Sequence, residues 1–124
     1  MDKSATDHIT DKLFGPTYAS RKSQPGSATL LLNVVEDVLF GEVYNRPNLR
    51  LEERCMITLA ALTALNREEQ LRAHIAAANR VGVGREQIIE IMIQTAFYAG
   101  MPAGMRGLRI LDEVFAESHK GSSA

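Results

Sequence analysis

The stretch "NREEQLRAHIAAANRVGVG", residues 66–84, has the spacing of an α-helix and carries an imidazole in its middle. Leu71, His74, Ala78 and Val81 recur every three or four residues, so they share one helical face. Apart from His74, that face offers only small and aliphatic side chains. The stretch therefore predicts a helix that holds an ionisable ring on its apolar side.

Signals for helix ends accompany the same periodicity along the chain. Asn66 followed by Glu69 resembles a capping box that opens a helix, and Gly82 suits the left-handed position that closes one. Ser27 is a candidate N-cap for an earlier helix. No strand pattern or internal repeat is evident, so the sequence predicts an all-α, compact bundle of about six helices. Their expected ranges are 5–14, 28–43, 51–65, 66–82, 85–99 and 102–117.

One helical domain with two flanking segments is the expected organisation. Residues 1–27 form an N-terminal arm with a short helix, because Gly15-Pro16 and a polar run interrupt the pattern. Residues 28–118 form the helical domain, which is long enough to bury a core. Residues 119–124, HKGSSA, are expected to fray.

Charge and cysteine content exclude several classes of function. The formal net charge is −1 without a basic stripe, so a nucleic-acid partner is not expected. No apolar run approaches the ~20 residues that span a bilayer, and the N-terminus lacks a signal-peptide segment, so no membrane partner is expected. The single cysteine, Cys55, cannot form an intramolecular disulfide, which favours a reducing, cytoplasmic location.

Two of the predicted helices are apolar on almost every side. Residues 56–65, MITLAALTAL, have hardly any polar face, and residues 85–99 are rich in isoleucine and aromatic side chains. Six short helices provide few neighbours to cover such surfaces. We therefore expect a homo-oligomer, in which other subunits cover the apolar sides.

Two interpretations of His74 follow from its surroundings alone. Burial disfavours the charged imidazole and lowers its pKa, and a neutral ring can take up and return a proton near pH 7. The alternative is a histidine that only packs, with a satisfied hydrogen bond. No metal site is expected, because His8 and His119 lie in terminal segments and no second histidine lies one turn from His74.

The stretch FGEVYNRPNLRLEER, residues 40–54, gathers charged and aromatic groups around a turn. It is either a solvated turn, or Arg46 or Arg54 points inward to hold a carboxylate. Cys55 is either a small hydrophobic core residue or a thiolate favoured by the helix N-terminus. Tyr98, at a later helix break, either packs or forms a pocket wall.

Three segments carry a family pattern in order: FGEVYNRPNL, RCMITLAALTAL and EEQLRAHIAAANRVGVGREQIIEIMIQTAFYAGMPAG. The H-x3-A-x3-G step that begins at His74 and the YAG-x-P motif are their most specific parts. Over residues 28–117 the chain resembles the carboxymuconolactone decarboxylase family. Gly15, Tyr18 and Arg21 also resemble the N-terminal G-x2-Y-x2-R of its decarboxylase-type members.

The resemblance implies an all-α fold of alkylhydroperoxidase type that assembles as a trimer or hexamer. It also implies decarboxylation of 4-carboxymuconolactone, or of a related small carboxylated lactone, in aromatic catabolism of the protocatechuate/3-oxoadipate type. An oxygen anion grows as the C–C bond breaks, and an acid protonates the carbon, so no metal or organic cofactor is required. His74 is then the proton donor, and Glu42 orients His74 or Arg46.

Further residues take substrate-binding roles under the same resemblance. Arg46 and Arg54 would fix the two carboxylates of the substrate. The remaining residues expected at the pocket are Tyr44, Tyr98 and Cys55.

Two departures separate this sequence from other patterns in the family. Peroxidase-type members carry C-x-x-C before the equivalent of His74, where Arg67 and Gln70 stand here, so a cycle between two thiols is not expected. Decarboxylase-type members tend to have W-G-x-x-W where Phe40 and Tyr44 stand, which leaves the substrate open. The alternatives are a thiol peroxidase that uses Cys55 with an external thiol, and a non-catalytic oligomeric binding protein.

Overall fold

The computed structural model describes residues 5–16 and 26–122, with side chains as far as residue 118. A π-helical turn, Val35–Phe40, continues the helix Thr29–Val34, and a 3-10 turn, Val43–Asn45, follows the π-helical turn. The described residues contain no β-strand, which confirms the all-α prediction. Within the described residues the α-helices are α1 (Ala5–Phe14), α2 (Thr29–Val34), α3 (Leu51–Ala64), α4 (Glu68–Arg80), α5 (Arg85–Ala99) and α6 (Met101–Ser122).

Helices α3 to α6 pack around a common core. α5 lies along α6, α3 packs against α4 and α5, and α4 packs against α6. A Cβ atom on Gly107 would lie 2.6 Å from the Met92 sulfur, so glycine permits the close approach of α5 and α6. The fully enclosed core residues include Leu59, Ile75, Ile88, Met92, Ile110 and Leu111.

The N-terminal helix packs on α4 and on the π-helical turn, and its Ile9 and Leu13 side chains join the same core. Gly15 ends α1 with φ 88°, which confirms the predicted interruption there. A Cβ on Gly15 would lie 2.8 Å from a guanidinium nitrogen of Arg80, so α1 ends in close contact with α4. Tyr18 and Arg21 of the same sequence motif lie outside the described residues.

The turn between α3 and α4 corrects the predicted capping box. Asn66 has φ 59° and its N–H donates to the Thr63 carbonyl, while the Arg67 N–H donates to the Leu62 carbonyl. These two bonds are those of a Schellman motif, which ends a helix. Asn66 therefore closes α3, and Arg67, not Asn66, is the N-cap of α4. Asparagine tolerates the left-handed conformation that this end requires.

Gly82 closes α4 in the same way, as predicted. It has φ 103°, and its N–H donates to the Asn79 carbonyl at 3.2 Å. The Val83 N–H donates to the Ala78 carbonyl at 3.0 Å, which completes a second Schellman motif. Val83 is fully buried, so this turn anchors the end of α4 in the core.

Two other helix boundaries differ from the predicted ranges. The expected helix over 28–43 is regular only as far as Val34, because the chain then widens into the π-helical turn. Its N-cap is Ala28, so the prediction of Ser27 is wrong. The Thr29 hydroxyl, not that of Ser27, binds the Gly26 backbone at this end.

The last helix is longer than predicted. α6 continues to Ser122, past the expected end near Glu117, and includes residues 119–122 of the segment expected to fray. None of the described helices is long and apolar enough to cross a bilayer.

Large apolar side chains remain uncovered on the described surface. On α3 and α5, Ile57 is 57% exposed, Phe97 is 74% exposed and Tyr98 is 86% exposed. Further exposed apolar residues are Leu30, Leu31, Val34, Val38, Ile93, Met101 and Met105.

Candidate functional site

A small cavity lies between the 3-10 turn and the first half of α3. Its volume is about 130 Å³. The walls combine aliphatic side chains with a guanidinium, a phenol and a hydroxyl group, so the cavity can enclose a small polar molecule. Its lining residues are Leu39, Val43, Tyr44, Arg54, Ile57 and Thr58.

The local sequence explains how these groups meet. Arg46 precedes Pro47 and is extended (φ −69°, ψ 141°), because the proline ring disfavours helical angles in the residue before it. The chain therefore leaves the 3-10 turn and enters α3, whose first turn carries Glu52 and Glu53 near the positive end of the helix dipole. The Glu53 carboxylate accepts a 2.8 Å hydrogen bond from the backbone N–H of Arg50 and so fixes that first turn.

Arg54 is the cationic residue of the cavity wall. One terminal nitrogen of its guanidinium donates to the Arg46 carbonyl at 3.2 Å, which ties the turn to α3. Its Nε is buried and has no hydrogen-bond partner among the residues that the structure describes. An unpaired buried donor on a charged group is costly, and a carboxylate is the natural partner of a guanidinium.

Tyr44 and Thr58 form the second polar wall. Their hydroxyl oxygens are 2.9 Å apart, and the Thr58 hydroxyl donates to the Arg54 carbonyl, also at 2.9 Å. The Tyr44 ring is 6% exposed and packs on Phe40 with ring centroids 5.4 Å apart. Burial raises the pKa of the Tyr44 phenol above 10, so this group is neutral near pH 7.

Cys55 lies next to Arg54 in the chain but is 5% exposed, as part of the core. Burial, with a smaller contribution from the charge of Glu52, raises the pKa of the Cys55 thiol to about 11. The nucleophile in thiol chemistry is the thiolate. Since little thiolate exists at pH 7 with this pKa, the surroundings of Cys55 favour the packing interpretation.

His74 is partly buried on α4, and its ring lies at the end of a row of aromatic side chains. The Phe14 ring meets the imidazole edge-on with centroids 5.5 Å apart, and Phe14 contacts Phe40 at 5.8 Å. Through Phe40 the row reaches Tyr44 at the cavity. Burial lowers the pKa of His74 below 6.5, as the sequence predicts for a histidine on an apolar face.

The structure does not bring all the predicted site residues together. His74 does not line the cavity of Arg54 and Tyr44, since Phe14 of α1 covers its ring. Glu42 is exposed, and among the described residues no hydrogen bond or ion pair joins it to His74 or Arg46. The Arg46 side chain is exposed, and only its carbonyl contacts Arg54.

Tyr98 lies elsewhere on the molecule. It is exposed on α5 beside Phe97, outside the cavity between the 3-10 turn and α3. Its neighbourhood is the uncovered apolar surface, so a role for Tyr98 at the cavity of the same subunit is not seen.

Sequence reasoning missed Thr58 and a larger groove beside the cavity. The groove has a volume of about 470 Å³ and shares Ile57 with the cavity. Thr58 lies one helical turn after Arg54, and this spacing is the signal that could have identified it. The other lining residues of the groove are Met56, Ala60, Gln87, Glu90, Ile91, Gln94 and Thr95.

In the described part of the chain, no group of three or more histidine, cysteine, aspartate or glutamate residues is placed to hold a metal ion.

Comparison with known proteins assigns the family. The sequence model described as "Carboxymuconolactone decarboxylase family" matches residues 30–113, more than half of the chain. The chain belongs to the carboxymuconolactone decarboxylase family. The matched range includes every cavity-lining residue and His74, and it confirms the resemblance seen in the sequence.

Two curated relatives support this membership. The chain is 35% identical over 85 residues to a 4-carboxymuconolactone decarboxylase of Acinetobacter baylyi, which covers 68% of this chain and 63% of the relative. It is 31% identical over 83 residues to a Paracoccus denitrificans protein named "Uncharacterized 15.0 kDa protein in nqo9-nqo10 intergenic region", over 65% of this chain and 62% of that one. The match therefore spans just under two thirds of each relative.

Proposed function

We propose that this family member is a carboxy-lyase that decarboxylates 4-carboxymuconolactone or a related small carboxylated lactone. The observation that carries the proposal is Arg54 in the wall of a small cavity whose other lining side chains are aliphatic or carry a hydroxyl group. A carboxylate of the substrate would pair with the guanidinium group, and the lactone ring would lie against the aliphatic wall. The Acinetobacter baylyi relative, named as a 4-carboxymuconolactone decarboxylase, supports the choice of substrate class.

The proposed reaction needs charge stabilisation and one proton. The bond between the ring carbon and the leaving carboxylate breaks, CO2 departs, and the bonding electrons move towards the lactone carbonyl oxygen. A proton then adds to carbon and gives the enol-lactone. The positive charge of the Arg54 guanidinium stabilises the negative charge that develops on the lactone as CO2 leaves. The proposed reaction uses no metal or organic cofactor.

His74 is the proposed source of that proton. Its ring is partly buried and has no hydrogen-bond partner among the described residues, so its proton is not committed to a structural bond. The rings of Phe14 and Phe40 stand between the imidazole and Tyr44 in the aromatic row, so direct transfer to a substrate in the cavity requires both rings to move. Glu42 and Arg46 remain candidates for orienting the reacting groups once substrate is bound.

Turnover by the purified protein tests the function and separates it from thiol chemistry. We expect decarboxylation of 4-carboxymuconolactone, with one CO2 released per lactone consumed, and no turnover of hydrogen peroxide with an external thiol. Because burial raises the pKa of the Cys55 thiol to about 11, Cys55→Ser is expected to keep turnover within about threefold of the wild type.

Two results of this assay would contradict the proposal. Peroxide consumption that is abolished by Cys55→Ser, without lactone turnover, indicates a single-thiol peroxidase. Absence of both activities for a set of carboxylated lactones indicates a binding protein without catalysis.

We also propose that the protein is a homo-oligomer, a trimer or a hexamer. The exposed apolar residues of α2, α3 and α5 support this, since a monomer would leave them in water. Light scattering at micromolar concentration is expected to give three or six times the chain mass of 13.6 kDa. Phe97→Lys is expected to lower that mass because it places a charge on the apolar surface.

Glu117→Lys is the matched control for this change, since Glu117 is exposed on the polar surface of α6. It is expected to leave the mass unchanged. A wild-type mass equal to that of one chain would exclude the oligomer.

A further inference from the structure

Helix α2 is an apolar helix that its own chain leaves uncovered. None of its residues is buried, and among the described elements it packs mainly on the π-helical turn that continues it. Glu36 of that turn is 5% exposed, so this side of the helix faces the rest of the chain. The opposite side is the α2 stripe, whose members are 46% to 74% exposed: Leu30, Leu31, Val34 and Val38. A helix this short depends on packing for its stability, so the stripe needs a surface to cover it.

The groove between α3 and α5 is a concave apolar surface that is also uncovered in one chain. It has a volume of about 470 Å³, with Ile57 and Ala60 in its α3 wall and Ile91 in its α5 wall. The exposed side-chain amides of Gln87 and Gln94 lie along its α5 rim. No residue of α2 lines the groove, so the α2 helix of the same chain lies elsewhere.

The α2 stripe matches the groove in length and in chemistry. The stripe runs from Leu30 to Val38 and the α5 wall from Gln87 to Thr95, so each extends over about 12 Å of helix. The stripe is aliphatic like the walls, and Asn33 beside it is exposed and carries an amide like those of the rim. Seating of an amphipathic helix in an apolar groove is a recurring mode of recognition between chains.

A second copy of the chain is the occupant that these features indicate. The stripe and the groove are different surfaces of one chain, so the stripe of one copy can enter the groove of the next copy. Such a head-to-tail contact forms a closed ring when the rotation between copies allows it, as in a trimer. Every chain then gives one stripe and receives one, and neither apolar surface stays in water.

We propose that the α2 stripe of a second copy lies in the groove and completes the site between the 3-10 turn and α3. Ile57 is the point of contact with the site, because it lines both the groove and the cavity and is 57% exposed in a single chain. The cavity of about 130 Å³ is smaller than the ~300 Å³ at which ligand pockets begin. A carboxylated lactone therefore extends past Ile57 towards the groove, where the α2 helix of the second copy supplies the apolar wall that one chain lacks.

This wall has a consequence for the chemistry of the site, and here the proposal rests on the proposed function. An apolar helix over Ile57 excludes water from the cavity. Exclusion of water strengthens the attraction between the Arg54 guanidinium and a carboxylate of the substrate. Each site then takes its polar groups from one chain and its outer wall from the next chain, so an isolated chain is expected to turn over poorly.

Cross-linking between two introduced cysteines tests the contact independently of turnover. In a Cys55→Ser background, Leu31→Cys and Gln94→Cys are placed on separate chains that carry different affinity tags and are co-expressed. A short bis-maleimide is expected to give a cross-linked product that binds both tags. In the matched control, Glu117→Cys on the polar surface of α6 replaces Gln94→Cys, and we expect no such product.

Mixed assemblies test whether the contact completes the site. Leu31→Glu places a carboxylate in an apolar contact beside Glu90, so it is expected to reduce the mass in light scattering and to lower kcat/KM about tenfold. Arg54→Met keeps an intact α2 stripe. When the two variants are co-expressed, about one quarter of the wild-type turnover should return, because half of the chains keep Arg54 and half of their neighbours keep Leu31.

Asn33→Glu is the matched control for Leu31→Glu. It introduces the same charge on the same helix, at an exposed polar position beside the stripe, and should change kcat/KM by less than about twofold. Circular dichroism checks that each variant folds.

Three results would overturn the inference: no cross-link between differently tagged chains, a cross-link that forms only within one chain carrying both cysteines, or mixed assemblies no more active than the separate variants. Failure of the proposed function appears differently. In that case the differently tagged chains still cross-link, and the wild type does not turn over the lactone.

Discussion

Arg54→Met is expected to lower kcat/KM for 4-carboxymuconolactone by about 10²- to 10³-fold, since it removes the charged partner of a buried carboxylate. The methionine side chain preserves most of the volume and the aliphatic contacts of Arg54, so the cavity keeps its shape. KM should rise if the guanidinium only binds the substrate. A fall in kcat would show that the guanidinium also stabilises negative charge in the transition state.

A matched control for this substitution is Arg50→Met. Arg50 stands at the N-cap of the same helix, and its side chain is 74% exposed in a surface pair with Glu53. Because exposed ion pairs contribute little, we expect kcat/KM to change by less than about twofold. Arg54→Lys keeps the positive charge but lacks the planar guanidinium group. Its kcat/KM should therefore lie between those of Arg54→Met and Arg50→Met. Wild-type turnover in Arg54→Met would exclude Arg54 from the site.

His74→Gln is expected to lower kcat by about 10²- to 10⁴-fold, the usual contribution of a general acid or base. Glutamine can hydrogen-bond but cannot exchange a proton near neutral pH, so the loss reports proton transfer. His8→Gln is the matched control, because His8 is exposed on α1, and it should leave kcat within about twofold. Full turnover in His74→Gln would assign this histidine to packing.

The pH dependence of kcat/KM shows whether His74 acts as a proton donor or as a base. Burial lowers the pKa of His74 below 6.5, so the ring is mostly neutral at pH 7. A proton donor must be protonated, and its active fraction grows as the pH falls towards that lowered pKa. As the pH is lowered from 8, we therefore expect kcat/KM to rise about tenfold for each pH unit. The rise should level off at the pKa of His74. The slope should disappear in His74→Gln, and a slope of opposite sign would indicate a base.

Helix positions were predictable because each depends on neighbouring residues. Gly82 closes α4 as expected, since glycine reaches φ 103° without a steric cost. Asn66 was harder to assign, because the same residue type favours both an N-cap and a left-handed C-terminal position. Two backbone hydrogen bonds to carbonyl groups of α3 show that Asn66 takes the C-terminal position. The local sequence does not reveal these bonds.

The candidate site was predictable in its residue types but not in its grouping. Arg54 and Tyr44 were expected in a pocket and do line one cavity, whereas Glu42 and Tyr98 do not join them. Which groups meet depends on where the turn before Pro47 directs the chain. Thr58 went unnoticed because a threonine inside an apolar helix looks like a packing residue until its hydroxyl partners are known.

The sequence by itself determined the helical class, the family and the absence of the C-x-x-C motif, because each depends on residue type and spacing along the chain. Only the tertiary structure decided that the Phe14 ring packs on His74 and that Arg54 and Tyr44 line one cavity. Those contacts join segments that are distant in the chain, and burial together with hydrogen-bond direction exists only after the helices have packed.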